Sequence, residues 1–503
     1  MFEDFGSYFS GEFVWVVVVG GILSFLLGFG MGANDVSNAF GTSVGSKVLS
    51  LRNAYILATI FETAGAILVG FKVTDSMRKG IVDLQVYEAT PNELLLGQLA
   101  ILGGASIWLL LATKLKAPVS TTHSVVGATL GFTLLARGTH GIQWMMVLKI
   151  ASSWIISPVL SGSVAITMYL LVDHFILRKK NPVAAGIVAL PFIYFVCISF
   201  NSVACSACRT FRSGSCLRSH SSSGLSFALV FYFFLSPHLL KWIDKTEGDA
   251  ADRYEDRDRR RWLVGGDIQE RTGDQGAGEK RNSDVFFTSA QLAPNASPPL
   301  GKLGARLSQS FATTPKGFIR WFLPDRNRTE DRRTLRLFSA LQCFTACFAG
   351  FAHGANDVSN AIAPLAALLA IKKTHSVDQQ GQTQIEVLLW GVLATCIGLW
   401  VLGHRTVGQR MSEINPASGF TIEFGAAATA MLASKAGIPI STTHCLVGAV
   451  VAVGCVKSGE GVDFKIFRNI VLSWSVPSSL NRSDLRECLQ GGHAARLRCN
   501  LVH

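Results

Sequence analysis

Charge is what this sequence has little of. Asp, Glu, Lys and Arg together make up 16% of its 503 residues, against roughly 25% in an average globular chain. Nine stretches of 18 residues or more carry none of them: 13–34, 94–113, 117–136, 150–172, 181–208, 219–240, 337–356, 387–404 and 436–456. A membrane span needs about 20 mostly apolar residues, so both a water-soluble globular chain and a disordered one are excluded. Other absences narrow the function. There is no G-x-x-x-x-G-K-[ST] phosphate loop, so ATP drive has no support, and no nucleophile–base pattern that would mark an enzyme. The 11 cysteines are scattered, with five (Cys343, Cys347, Cys396, Cys445 and Cys455) inside apolar runs, where a free thiol acts as a small hydrophobe. One C-x-x-C, Cys205 and Cys208, has no second pair after it, which speaks against zinc. No cofactor is called for.

What is present is a polytopic pattern in a lipid bilayer. Seven apolar segments precede a polar stretch, at about 13–34, 53–71, 94–113, 117–136, 150–172, 183–200 and 222–240. Four or five follow it, at about 335–356, 386–404, 420–434, 438–456 and an incomplete 466–476. The first is followed by further spans rather than a cleavage site, so it reads as a helix and not as a removed signal peptide. The fold class is therefore an all-α polytopic membrane protein with about 11–12 transmembrane segments. The net charge of +12 does not point to nucleic acid, because 241–333 holds 18 Lys and Arg with 15 Asp and Glu in one mixed-sign block. Segment 241–334 reads instead as a cytoplasmic linker, which puts the N-terminus outside. Residues 1–12, with three acids and no Lys or Arg, agree. The divisions are 1–240, 241–334, 335–474 and an atypical tail, 475–503.

The halves repeat. G-A-N-D-V-S-N-A occurs at 32–39 and again at 354–361, and S-T-T-H occurs at 120–123 and 441–444. The offsets are 322 and 321 residues, with a third echo, Ser-Trp at 153–154 and 473–474, at 320. With seven spans between them, the two octets should point to opposite sides. That is the inverted-repeat pattern of many secondary transporters. Each octet is expected to end its span.

Asp35 and Asp357 close otherwise uncharged runs, where an ionisable group is costly and faces a partner, a cavity or an ion. Asn34 and Asn38 flank the first, and Asn356 and Asn360 the second. Positions i and i+4 share a helix face, so the amide oxygens are expected to converge on a small alkali cation; helix capping is the alternative. Ser120, Thr121, Thr122 and Ser441, Thr442, Thr443 follow Pro118 and Pro439, which can open new helical segments. Backbone N–H groups and hydroxyls at such an end suit a tetrahedral oxyanion, unless they only cap the helix. Glu62 and Glu423 interrupt apolar stretches and suit a cation or proton, or a carboxyl hydrogen-bonded between helices. His123 and His444 adjoin the S-T-T blocks in a structural or a substrate role. Lys114, Lys116 and Lys435 read as interfacial anchors.

With both motifs present twice, the chain resembles the inorganic phosphate transporter (PiT, or PHO-4) family of sodium- or proton-coupled permeases, over roughly 11–200 and 335–474. The resemblance implies an all-helical inverted-repeat fold and symport of inorganic phosphate with Na⁺, or with H⁺. It gives cation and phosphate coordination to Asn34, Asp35, Asn38, Asn356, Asp357 and Asn360, with Na⁺ at Asp35 and Asp357. It gives phosphate to the two S-T-T blocks and coupling to Glu62 and Glu423. The plasma membrane is the implied location, and a homodimer is left open. Segments 201–224 and 475–503 depart from the family pattern, which leaves a non-transporting receptor or scaffold as the alternative from another class.

A linker that cannot bury enough apolar surface to fold should be dispensable. Deleting 241–334 should leave uptake at wild-type level per surface copy, and Asn295 and Asn327 should carry no glycan. Lost uptake at normal surface expression, or a glycan at either asparagine, contradicts the cytoplasmic assignment.

Overall fold

The computed structural model describes residues 13–115, 119–205, 318, 321–325, 328, 330–379, 383–405, 414–457 and 462–479. The helices run in the order α1 (Val14–Gly45), α2 (Leu51–Gly80), α3 (Pro91–Lys114), α4 (Thr121–Arg137), α5 (Trp144–Leu177), α6 (Pro182–Cys205), α7 (Arg332–Thr374), α8 (Ile385–Leu402), α9 (Pro416–Lys435), α10 (Thr442–Val456) and α11 (Phe464–Ser479). All lie in one compact unit; of the second unit only Phe318 and 321–323 are described, with the Phe318 ring against Trp321 and Phe322. Seven helices among the described residues (α1, α2, α3, α5, α6, α7 and α8) are long and apolar enough to cross a membrane. Every apolar segment expected from the sequence within the described residues is helical; 222–240 and 475–503 lie wholly or mostly outside them.

Local chemistry sets the boundaries. Ser50 caps α2 by accepting from Asn53 N, and Asp331 caps α7 by accepting from Thr334 N at 2.9 Å. Asn415 and Ser418 form a reciprocal capping box ahead of Pro416 at the start of α9, satisfying donors the helix leaves open. Apolar side chains cover the outside: Ile107, Leu135, Ile155, Val188 and Phe192 are each about 70% exposed or more. Such a surface belongs in lipid rather than in water.

One expectation fails in an informative way. Neither octet ends its helix. The first sits inside α1, which continues to Gly45, and the second sits inside α7, which continues to Thr374. The identical residues are wound differently, as ordinary α-helix in α1 and as a π-segment at Gly354–Val358 in α7. A second π-segment, Ala66–Gly70 in α2, packs against it. A π-turn absorbs one extra residue and is frequent at functional sites.

Glycine allows two helix crossings that place the octets. Where α1 meets α8, a Cβ on Gly32 would lie 1.9 Å from the carbonyl oxygen of Thr395, and one on Gly398 would lie 1.9 Å from that of Phe29. Where α2 meets α7, a Cβ on Gly65 would lie 1.9 Å from the Phe351 oxygen, and one on Gly354 would lie 2.0 Å from that of Glu62. Backbones therefore touch directly, as small residues permit between membrane helices. The two crossings match in kind, offset by 322 residues in the octet helices and 333 in their partners.

Helices α3 and α4 form a hairpin. Arg137 in the last turn of α4 reaches back to Glu93 and Thr90 at the start of α3. Helices α9 and α10 pack on one another across the short connection 436–441. At the end of α5, fully buried Asp173 pairs with Arg178 and, at 2.5 Å, with Arg328. Glu330 joins through Tyr169 and Asn415. The polar segment expected to run to 334 is thus tied into the bundle by residue 328.

Gly354→Ala should be destabilising by about 3 kcal/mol or more, since overpacking against backbone cannot relax through a rotamer. Gly131→Ala, with open space around its Cβ, should be neutral or slightly stabilising. Thermal unfolding of the purified variants checks both, and equal midpoints contradict the crossing argument.

Candidate functional site

The octets and the S-T-T blocks come together in a crossed lattice. Within the first half, Thr121 Oγ1 donates to Asp35 Oδ2 at 2.7 Å, and Asn38 Nδ2 donates to Asp35 Oδ1 at 3.0 Å. Within the second half, Thr442 Oγ1 donates to Asp357 Oδ2 at 2.6 Å, and Asn360 Nδ2 donates to Asp357 Oδ1 at 3.3 Å. Between the halves, Asn38 Nδ2 donates to Thr443 Oγ1 and Asn360 Nδ2 to Thr122 Oγ1, each at 2.8 Å. Thr122 Oγ1 then donates to the Ile440 carbonyl at 3.0 Å. Each octet thus holds its own half through a carboxylate and the other half through an amide.

The serines of both blocks sit at helix starts. Ser120 and Ser441 are the N-caps of α4 and α10, accepting from His123 N at 3.4 Å and His444 N at 3.2 Å. Pro439 precedes the second; Pro118 and Lys116 lie outside the described residues. Both hairpin tips reach the octets, since Val119 N donates to Asn34 Oδ1 at 3.2 Å and Asn356 Nδ2 donates to Ile440 O at 2.6 Å. His123 and His444 pack ring to ring at 4.6 Å, with His444 Nδ1 3.1 Å from the Trp154 carbonyl. The structure gives these histidines packing partners between the tips. Lys114 and Lys435 fall in the last turns of α3 and α9.

The expected convergence of paired amides does not occur in the first octet. Asn34 turns to the hairpin, donating to Thr113 Oγ1 at 3.3 Å, while Asn38 turns to Asp35 and Thr443. A shared helix face does not fix where side chains aim once each finds its own partner. In the second octet, Asn356 Oδ1 and Asn360 Oδ1 are both buried with no hydrogen-bond partner. A buried carbonyl left unpaired costs about 1–3 kcal/mol. Both asparagines flank Asp357 in sequence, at positions −1 and +3.

The glutamates occupy two further arrangements. Glu423 Oε1 accepts from Thr42, from Ser43 at 2.6 Å and from Gln342 at 3.4 Å, while Oε2 accepts from Thr345 at 2.8 Å. Three helices, α1, α7 and α9, thereby meet on one carboxylate. Glu62 lies 3.2 Å from His353 Nδ1, and His353 Nε2 lies 3.3 Å from Asp357 Oδ2. Both ring contacts fall within ion-pair distance for a protonated imidazole but outside good hydrogen-bond geometry. Sequence reasoning passed over His353, Thr42, Ser43, Gln342 and Thr345. For His353 a signal existed: it sits next to the second octet where the first has Met31. For the hydroxyls there was little, because Ser and Thr in apolar helices commonly bond their own backbone one turn back.

Comparison with known proteins identifies the family. The profile described as the phosphate transporter family matches residues 31–479. Sodium-dependent phosphate transporter 2 of Xenopus laevis is 33% identical, across 92% of this chain and 96% of its own length. The Homo sapiens protein of that name is 32% identical with the same coverage. A solved structure described as the sodium-dependent phosphate transporter superposes with a TM-score of 0.68 at 29% identity, covering 92% of this chain and 95% of that one. The chain belongs to the phosphate transporter family.

Proposed function

We propose that this protein carries inorganic phosphate across a membrane together with Na⁺, binding both where the two hairpin tips meet the two octets. The observation that carries this reading is the crossed lattice. It sets two helix N-termini, with the hydroxyls of Ser120, Thr121, Thr122, Ser441, Thr442 and Thr443, against Asp35 and Asp357. The N-terminal donors suit phosphate oxygens. Asp357 and the unpaired oxygens of Asn356 and Asn360 suit a cation, and Asp35 with Asn38 is its counterpart in the first half.

The charge balance supplies the coupling. Two unit charges 4 Å apart interact by about 4 kcal/mol at an effective dielectric of 20. A phosphate anion placed beside two carboxylates is therefore repelled unless cations enter with it. Glu62, through His353, and Glu423, through α1 and α7, are the further carboxylates whose charge the coupling ion can offset. The matching glycine crossings and the two hairpins support an inverted repeat whose hairpins enter from opposite sides. The relatives named for sodium dependence favour Na⁺ over H⁺, and the proposed location is the plasma membrane, where a steep inward Na⁺ gradient can drive uptake.

Radiolabelled phosphate uptake in Na⁺ and in choline medium tests the reading: uptake in Na⁺ alone is expected, and uptake in neither overturns it. Asp35→Asn and Asp357→Asn should each abolish coupled uptake while the protein still reaches the membrane. Normal uptake in either contradicts the assigned role.

If one anion lies between the tips, Thr122→Val and Thr443→Val should each weaken apparent phosphate affinity about 10- to 150-fold, the loss of one hydrogen bond to a charged group. The double variant should lose less than the product of the two, because the residues share a ligand. Additive losses, or unchanged affinity in either single variant, point to separate sites.

A further inference from the structure

We propose that Cys343 and Cys347 form a dithiol site on α7 for trivalent arsenicals, placed so that its occupation disturbs Glu423. The two residues stand one helical turn apart, at positions i and i+4 of α7, and so share one face of it. Cys343 is half-buried and Cys347 is 9% exposed. On an intact helix, Cβ atoms at i and i+4 are about 5–6 Å apart, whereas a disulfide requires about 3.5–4.5 Å. Direct oxidation to a disulfide therefore demands that the helix distort. A bridge with one atom inserted between the sulfurs does not.

Arsenic(III) is such an atom, and soft thiolates are its preferred ligands by the same hard–soft matching that governs metals. With phenylarsine oxide the reaction balances without any change of oxidation state. Two As–S bonds form, the As=O bond is lost, and both thiol protons leave with the oxygen as water. An apolar aryl arsenical partitions into the bilayer and so can reach a half-buried thiol on a membrane helix. Among cysteines whose side chains are described, no other two stand one turn apart: Cys197 is on α6, Cys396 on α8, and Cys445 and Cys455 lie ten residues apart on α10.

The neighbours connect this site to transport. Gln342 and Thr345, which flank Cys343 in sequence, both donate to Glu423. On the other side of Cys343, the Phe344 ring packs against Tyr194 of α6 at 5.8 Å. Clamping the turn from Cys343 to Cys347 therefore holds the stretch that carries the Thr345 hydroxyl. This second step rests on the transport reading above; the binding step does not.

The test has two arms. Purified full-length protein is treated with one equivalent of phenylarsine oxide, and the adduct is located by peptide mass mapping and free-thiol counting. One arsenic per chain bridging Cys343 and Cys347 is expected, released by 2,3-dimercaptopropanol but not by 2-mercaptoethanol. The adduct should be lost in Cys343→Ser, Cys343→Ala and Cys347→Ser and kept in Cys197→Ser. Bridging elsewhere, or an adduct that survives in the Cys343 and Cys347 variants, overturns the site. In the second arm, phosphate uptake by untreated and treated cells is compared. Half-inhibition should need at least tenfold more arsenical in Cys347→Ser than in wild type. A mapped adduct with uptake unchanged overturns the link to Glu423 and leaves the site. Absence of uptake before treatment counts against the transport reading alone.

Discussion

Four carboxylates buried in an apolar helical bundle are the constraint on which the rest of this structure depends. Asp35, Glu62, Asp357 and Glu423 are each 3% exposed or less. An ionised group in such a place persists only where hydrogen bonds and countercharge replace water. Each carboxylate is therefore the meeting point of elements far apart in sequence. Asp35 and Asp357 fix the hairpin tips through Thr121 and Thr442, Glu423 joins α1, α7 and α9, and Glu62 reaches Asp357 through His353. The glycines at the two crossings serve the same end, since only touching backbones bring these groups within reach of one another.

The halves share a plan but are not copies. By the registers of the glycine crossings and the hairpins, Glu62 corresponds to Thr395, Glu423 to Leu102 and His353 to Met31. The shared octet itself is wound as α-helix in one half and as a π-segment in the other. The first octet has its Asn34 oxygen taken by a hairpin N–H, while the second keeps two amide oxygens open beside its aspartate. Under the proposed reading, the same eight residues then offer two different cation environments, and two ions bind them with different affinities and in a preferred order.

Much of this was legible in the sequence, for reasons that can be stated. The apolar runs marked the helices because lipid demands them. The duplicated octet and S-T-T block marked residues that meet in the crossed lattice, because eight identical residues at one offset do not recur by chance. What was not legible depended on distance. No local rule pairs Asn38 with Thr443 or Asn360 with Thr122, which lie 405 and 238 residues apart. The octets looked like span ends because each charge-free apolar run closes at its aspartate. Inside the bundle, the neighbouring helices keep the turn wound. Asn34 and Asn38 diverge because Asn34 pairs with Val119 N and Thr113, whereas Asn38 pairs with Asp35 and Thr443.

The central claim is that the buried carboxylates make phosphate binding depend on the cation. It is tested most directly by equilibrium binding of phosphate to the purified protein at fixed pH and ionic strength, with Na⁺ replaced stepwise by choline. The account predicts that phosphate affinity falls steeply as Na⁺ is removed, and that saturating phosphate raises Na⁺ affinity by the same factor, as linkage requires. Equal phosphate affinity in Na⁺ and in choline would contradict it.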